Sequence, residues 1–213
     1  MTACRRQSRL WITQKTAVGD LKTGIVAGGT GPVLTRIKMP FTPYHFGPSG
    51  FIGLVFRKWI DIPVFVLANV IVDVEVLVVA FFGLGSPHHR YCHTLLIGAA
   101  VGAIWGAAAY RLRPLFEVIM DVAHVPYKPG LWKMVFSGIL GVWLHIFIDG
   151  AYHHDVIVFW PSQTESLWIA VMSRVSKAQI KTICLVFFIA AVIPYVAAVV
   201  SYMRQNRLKL KRR

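Results

Sequence analysis

Residues 62–82, IPVFVLANVIVDVEVLVVAFF, decide the fold of this chain. The stretch has the roughly 20 apolar residues that a helix needs to cross a bilayer, and two acids interrupt it, Asp73 and Glu75. Asp61 precedes it and Pro63 lies in its first turn, an arrangement that favours the start of a helix. We therefore predict a transmembrane helix that carries two acids near its centre.

Further apolar stretches follow along the chain. Three of them are long enough to cross a bilayer: residues 94–110, 133–152 and 181–203. A shorter apolar segment at 48–59 precedes the first span, and as a helix it would measure only about 18 Å. We predict an all-α, polytopic membrane bundle of four transmembrane helices, with a short re-entrant or interfacial helix at the N-terminal side. Residues 114–126 have one apolar face and predict an amphipathic helix on the membrane surface.

The composition agrees with a membrane protein. Hydrophobic residues make up 56% of the 213 and charged residues only 15%, yet the net charge is +14. Much of the positive charge lies in residues 1–38, with seven basic residues against one acid, and in 204–213, with six. Basic residues that flank apolar spans orient those spans in the membrane and attract anionic lipid headgroups. We therefore do not expect this charge to form a nucleic-acid binding patch. Membrane lipid is the predicted partner.

The distribution of charge also predicts the domain organisation and the orientation. We expect residues 1–38 to be disordered or a start-site extension that ends before Met39, residues 39–203 to form the membrane domain with a metal site, and residues 204–213 to be a basic cytoplasmic tail. By the positive-inside rule, one side of the bundle carries Arg57, Lys58, Arg111, Arg113, Lys128, Lys133 and the basic tail, and fewer basic residues, Arg90, Arg174, Lys177 and Lys181, lie at or near the other. Both termini are therefore predicted to be cytoplasmic.

Asp73 and Glu75 are costly at their predicted depth. Each charge there costs roughly 2.5–3.5 kcal/mol, which a metal, a partner or a proton relay normally offsets. Two residues apart on a helix, the acids point about 200° away from each other and are not expected to share one site. Asn69 lies one turn before Asp73 on the same face, which favours Asp73; Glu75 then neighbours the site or stays protonated. A neutral buried acid that bonds to another helix is the alternative.

Two histidine clusters accompany these acids. In the third span, His145, Asp149 and His153 follow each other at four-residue spacing, so a helix places them on one stripe. An imidazole and a carboxylate that point the same way are suited to a divalent metal. Before the second span, His89 and His93 are also four apart.

Arg90 stands between these two histidines, where it can pair with an anionic substrate group. The alternative for this segment is a basic patch that contacts lipid headgroups. His45 precedes the short helix and joins the same layer if that helix re-enters the membrane. The combined set of imidazoles and carboxylates predicts a divalent metal site, with Zn²⁺ favoured and Mn²⁺ or Fe²⁺ possible, and two ions are conceivable.

Four motifs in this order resemble the membrane-bound metal-dependent hydrolase family, also described as inner-membrane-associated hydrolases with a distant similarity to zinc-dependent phospholipase C. They are MPFTPYHFGPSG, ANVIVDVE, PHHRYCHTLLIG and LHIFIDGAYHHDVIVFWP, which together cover about residues 39–165. The resemblance implies an ordered ligand set: His45, Asp73, His89, His93, His145 and Asp149. The family's usual histidine spacing fits His88 with His93 rather than His89 with His93, so either His88 or His89 is the ligand.

The resemblance implies a hydrolase in the bacterial inner membrane. A metal-bound water would attack an ester or phosphodiester, Arg90 would steady the anion, and Asp73 or Glu75 would accept the proton. The alternative is a transporter or a non-enzymatic metal-binding membrane protein. Transporters are often built from inverted repeats, and none is visible between the two halves of this sequence, so a homodimer would have to supply that symmetry. A haem between His93 and His145 leaves Asp73 and Asp149 unexplained.

Overall fold

The computed structural model describes residues 43–82, 92–152, 156, 158–160 and 175–210. Over these residues every regular element is helical and no strand occurs. Seven α-helices are numbered here in chain order: α1 Phe46–Val55, α2 Ile62–Phe81, α3 Leu95–Ala109, α4 Arg113–Val122, α5 Leu131–Tyr152, α6 Lys177–Ala190 and α7 Val192–Leu210. Short 3-10 turns, Pro43–His45 and Tyr110–Leu112, precede α1 and α4.

Among the described residues, four helical stretches are long and apolar enough to cross a membrane. They are Ile62–Val79, Leu95–Val122, Leu131–Ala151 and Lys177–Leu208. The ten-residue apolar helix α1 is too short for a crossing. The predicted all-α bundle of four membrane-spanning helices and one short apolar helix is confirmed, and the chain is a membrane protein in its architecture.

The fourth span is interrupted just before Pro194. Proline has no N–H to give to the carbonyl of residue 190 and its ring collides with that carbonyl, so α6 ends at Ala190 and α7 begins at Val192. The backbone bonds on either side of the break are kept, from Ala191 N to Phe187 O and from Tyr195 N to Ala191 O. The helix then continues through Leu210, beyond the predicted end at 203.

The α3 and α5 helices pack closely, and small residues make this possible. Gly98, Gly102 and Gly106 are buried along one side of α3. A Cβ on Gly102 would lie 2.6 Å from the carbonyl oxygen of Gly138 on α5. Two backbones approach this closely only where neither residue has a side chain, which is the usual basis of small-xxx-small packing in membranes. The contact fixes α5 against α3 along most of its length.

The α2 helix packs on the next face of α5. Ala68 and Val72 of α2 and Val142 and Ile146 of α5 form a fully buried apolar cluster. Close packing of this kind holds side chains in single rotamers. The polar residues on the adjacent turns of both helices are therefore held at defined positions.

The short helix α1 lies against α6. A Cβ on Gly47 would lie 3.0 Å from the backbone nitrogen of Phe188, so only glycine fits there without a shift. Ser49 is fully buried and its hydroxyl donates to the carbonyl of His45 at 2.7 Å. These contacts fix the 3-10 turn at the start of α1, and with it the imidazole of His45.

At the other end of the bundle a polar network closes the start of α2. Asp61, predicted as a cap, does accept from Val64 N through Oδ1 at 3.4 Å, and its Oδ2 accepts from the hydroxyl of Tyr127 at 2.9 Å. Its backbone N–H donates to Ser137 Oγ on α5 at 2.7 Å. Burial raises the pKa of Asp61 above its ordinary value of 3.8, and the hydrogen bond from Tyr127 and the nearby Lys133 oppose that rise.

The predicted amphipathic segment forms α4, shorter than expected. Phe116 and Met120 are buried on its inner side, and Glu117 and Asp121 are exposed on the other. The helix ends before His124, which has a positive φ of 54°, a conformation that interrupts a right-handed helix.

Candidate metal centre

Four polar side chains from three parts of the chain converge inside the bundle. Asp73 comes from α2, His93 from the turn before α3, and His145 and Asp149 from α5. One ligand atom from each lies within 4.8 Å of the other three. All four side chains are buried, the two imidazoles completely. We call this group the four-residue cluster.

The α5 helix supplies two members of the cluster because they are four residues apart. That spacing places both on one face, and Nε2 of His145 lies 3.1 Å from Oδ2 of Asp149. The same nitrogen lies 3.2 Å from Oδ1 of Asp73. One nitrogen and two carboxylate oxygens therefore face a common point.

His93 approaches that point from the turn before α3. Its Nε2 lies 3.8 Å from Oδ2 of Asp149 and 4.0 Å from Oδ1 of Asp73. The next residue, Thr94, caps α3 by accepting from the backbone N–H of Ile97 at 3.3 Å. The cap fixes where the helix begins, and so it also fixes the position of His93.

Glu75 stands behind His93 rather than inside the cluster. Its Oε2 lies 3.1 Å from Nδ1 of His93, and its carboxylate accepts the backbone N–H of Cys92 at 3.1 and 3.2 Å. Because the Glu75 carboxylate contacts Nδ1 of His93, the other ring nitrogen, Nε2, is directed at the cluster. Carboxylates hold metal-binding histidines in this way in many proteins. The two acids of α2 thus contact opposite sides of one imidazole.

His45 lies at the edge of the cluster. Its Nε2 is 3.0 Å from Oδ1 of Asp149, the oxygen turned away from His145. Its ring stacks on that of His145 with 4.5 Å between centroids. A cavity of about 10 Å³ adjoins this edge and is lined by His45, Asp149 and Lys181 among others. Its walls are almost entirely apolar.

The chemistry of the cluster fits a divalent cation. Two buried carboxylates next to each other repel and lose their hydration, which costs several kcal/mol per ion unless a cation or hydrogen bonds compensate. Two imidazole nitrogens and two carboxylate oxygens form a mixed set that Zn²⁺, Mn²⁺ and Fe²⁺ accept. The structure thus has a buried group of aspartates and histidines that can hold a metal ion.

The predicted site residues are distributed as follows. The structure brings Asp73, His93, His145 and Asp149 together and places His45 and Glu75 in contact with them. His88, His89, Arg90 and His153 lie outside the described residues, so their predicted roles stay predictions. Asn69, expected to share the face of Asp73, is buried and donates to the carbonyl of Val66 at 2.8 Å.

One part of the arrangement left no signal in the sequence. The backbone amide of Cys92 helps to hold Glu75, and a backbone donor is present at almost every residue. The fixed position of Glu75 therefore depends on how the turn before α3 folds. The contact between Glu75 and Nδ1 of His93 could not be predicted either, because the two residues are 18 positions apart and do not belong to one helix.

Comparison with known proteins gives no relative. The chain matches no protein-family model, no curated protein and no solved structure. The class that the fold and the site define is a membrane helical bundle with a buried aspartate and histidine cluster suited to a metal ion.

Proposed function

We propose that this chain is an integral-membrane, metal-dependent hydrolase that cleaves an ester or phosphodiester in a lipid or lipid-linked substrate. The observation that carries the proposal is the convergence of the four-residue cluster inside a bundle of membrane-spanning helices. Acids are rare at such positions, and when present they usually serve a functional site. The motif resemblance to membrane-bound metal-dependent hydrolases supports the same assignment.

The metal would be held by Asp73, His93, His145 and Asp149, and zinc suits this set. When bound, the ion would polarise an ester or phosphoryl oxygen of the substrate and would lower the pKa of a water bound to it. His45 Nε2 lies 3.0 Å from Oδ1 of Asp149, so this pair stands beside the cluster and is suited to orienting the attacking water. The predicted ligands His89 and His153 remain part of the proposal.

Glu75 neighbours the cluster, as expected from its position two residues after Asp73, and we propose for it a role other than accepting the proton. Because its carboxylate contacts His93 Nδ1 and the Cys92 amide, it acts through the ring of His93, and we propose it as a positioning residue. Asp73 is then the acid on the inner face, next to His145. Arg90 keeps its proposed role, to steady the anionic group of the substrate.

The substrate class follows from the location of the site. The cluster belongs to helices that cross the membrane or to the turn beside them, so a lipid or lipid-linked molecule reaches it most directly. The positive-inside rule places both termini in the cytoplasm, and the resemblance indicates a bacterial inner membrane. A homodimer is compatible with the proposal.

A transporter or a non-enzymatic metal protein is the second candidate. It is favoured by the same burial of acids and histidines within the spans, since ion pathways also need them. The two candidates differ in how firmly the ion is held and in whether a bond is cleaved.

Metal content of the purified full-length chain tests the first part of the proposal. We expect about one tightly held divalent ion per chain or two if both predicted ions bind. His145→Gln and Asp149→Asn should each reduce the content by at least about tenfold, since each removes a direct ligand. His124→Asn is the matched control, because His124 is exposed and asparagine tolerates its left-handed backbone. Equal metal in wild type and Asp149→Asn would contradict the site.

Turnover tests the reaction class. Phosphodiester and carboxylic ester lipids are presented to the chain in mixed micelles, with and without a chelator. Hydrolysis that the chelator abolishes and that zinc restores supports the enzyme. Metal flux into liposomes without any bond cleavage supports the transporter instead.

A further inference from the structure

A second polar region lies at the opposite end of the bundle from the four-residue cluster. Along α5, Lys133 is separated from His145 by about 18 Å of helix. A cleft of about 1080 Å³ opens there, larger than most small-ligand pockets. Its charged lining residues are Arg57, Lys58, Lys128, Lys133, Glu117 and Asp121.

One wall of the cleft is basic and is organised by Lys133. Its Nζ donates to the carbonyl of Arg57 at 3.1 Å and to the carbonyl of Lys128 at 3.3 Å. These bonds connect the turn between α1 and α2 to the segment before α5. Arg57, Lys58 and Lys128 line the same space, and Arg57 also donates to the carbonyl of Leu54 at 3.3 Å. Guanidinium and ammonium groups suit a phosphate.

The other wall is acidic and belongs to α4. Glu117 and Asp121 are four residues apart, so they share one helical face, and both are exposed. Asp121 Oδ1 accepts the hydroxyl of Tyr202, which joins α7 to this wall. The cleft thus has basic side chains on the turn before α2 and on the segment before α5, and carboxylates on α4.

The cleft lies at the level of the membrane boundary. Lining residues come from the ends of helical stretches that are long enough to cross a membrane, among them Val122, Lys133 and Asn206. Two tryptophans beside the lining are highly exposed, Trp59 at 70% and Trp132 at 72%. Exposed tryptophan at the ends of spans is typical of the headgroup layer.

We propose that this cleft binds the zwitterionic headgroup of an aminophospholipid. The phosphodiester contacts Arg57, Lys58 and Lys128, and the primary ammonium contacts Glu117 and Asp121. A purely anionic headgroup would leave the carboxylates of α4 without a cation, and a quaternary ammonium has no N–H to donate to them. The basic and acidic walls together therefore favour a headgroup that bears both charges.

Native mass spectrometry of the full-length chain, delipidated and reloaded, tests this inference. Phosphatidylethanolamine, phosphatidylglycerol and phosphatidylcholine of identical acyl chains are offered in equal amounts, and inorganic phosphate is offered separately. We expect phosphatidylethanolamine to be retained in excess of the other two. The double variant Arg57→Gln/Lys58→Gln should lower its retention by about tenfold, because each cation near a phosphate surface contributes to the affinity.

Two further variants make the test specific. Glu117→Gln/Asp121→Asn should abolish the preference for phosphatidylethanolamine over phosphatidylglycerol while total lipid binding is kept. Arg111→Gln/Arg113→Gln removes the same charge from the same end of the bundle, outside the cleft lining, and should change neither quantity. Equal retention of the three lipids, equal loss in the control double variant, or inorganic phosphate that displaces the lipid would each overturn the inference.

Discussion

Glu75 Oε2 and Nδ1 of His93 lie 3.1 Å apart, while the other nitrogen of the same ring faces Asp73 and Asp149. The two acids of α2 therefore act on one imidazole from its two sides. Asp73 belongs to the cluster, and Glu75 fixes the ring that completes it. This division of roles leads to the first prediction.

Glu75→Gln should weaken metal binding without abolishing it. The amide can still reach His93 and Cys92 but holds the ring less firmly, and loss of such an orienting carboxylate typically lowers metal affinity by about 10–100-fold. The measurement is competition with a chelator of known affinity. At saturating metal the variant should still bind the wild-type amount, whereas Asp149→Asn should not. An affinity equal to that of the wild type would show that Glu75 does not orient the site.

Metal should stabilise the folded chain through the four-residue cluster. An ion that binds only the folded state, at about 100 times its dissociation constant, adds about 2.7 kcal/mol. For a chain of this length that corresponds to roughly 5–10 °C in Tm. Thermal unfolding in detergent, with chelator or with added zinc, measures the shift. Asp149→Asn should lose most of it and His124→Asn should keep it; a full shift in Asp149→Asn would place the ion elsewhere.

Gly102→Ala should destabilise the bundle, although alanine is the better helix former. The new Cβ would meet the carbonyl of Gly138 at 2.6 Å and force α3 away from α5, at a cost of about 1–3 kcal/mol. Gly50→Ala in α1 is the matched control, since nothing lies within 4 Å of its Cβ. Alanine there should stabilise by up to about 1 kcal/mol. The changes in Tm should have opposite signs, and a neutral Gly102→Ala would contradict the close packing.

The buried acid Asp61 should make stability depend on pH. Because burial raises its pKa in the folded chain, folding favours the protonated carboxyl. Its contribution is therefore complete below about pH 4 and is lost as the pH rises through the folded pKa. Asp61→Asn should flatten the fall of Tm in that window.

Tyr127→Phe tests Asp61 through its hydrogen-bond donor. It removes the hydrogen bond that lowers the pKa of Asp61, so that pKa should rise further and the loss of stability should extend to higher pH. The pair of variants is measured by Tm from pH 4 to 8. Parallel wild-type and Asp61→Asn curves would assign the pH dependence to other groups.

Much of the fold was predictable because its signals are local. Runs of about 20 apolar residues identify membrane-spanning helices without any knowledge of their neighbours. The spacing of His145 and Asp149 predicted a shared face by helical geometry alone, and both lie in the cluster. Asp73 was predicted as a site residue because a charged acid in an apolar span costs free energy that a functional site normally offsets.

The remainder depended on contacts between distant segments. The orientation of Glu75 toward His93 follows from the turn before α3, and Asp61 bonds to Tyr127 and Ser137 in addition to its cap. The end of the fourth span was misplaced because polar residues continue a helix as readily as they end one. Pro194 interrupts that span where hydropathy alone gives no warning.

The distance along the chain between the contributors to the cluster also has a consequence for biogenesis. Within the cluster, Asp73 is synthesised first and Asp149 last, and Asp149 emerges only after α1 to α4 have been made. A growing polypeptide on the ribosome therefore has no complete coordination sphere to offer. The full set of ligands exists only after α5 has been made, so metal starvation of the cell should leave chains that are integrated but metal-free, and resupply should load them without new protein synthesis.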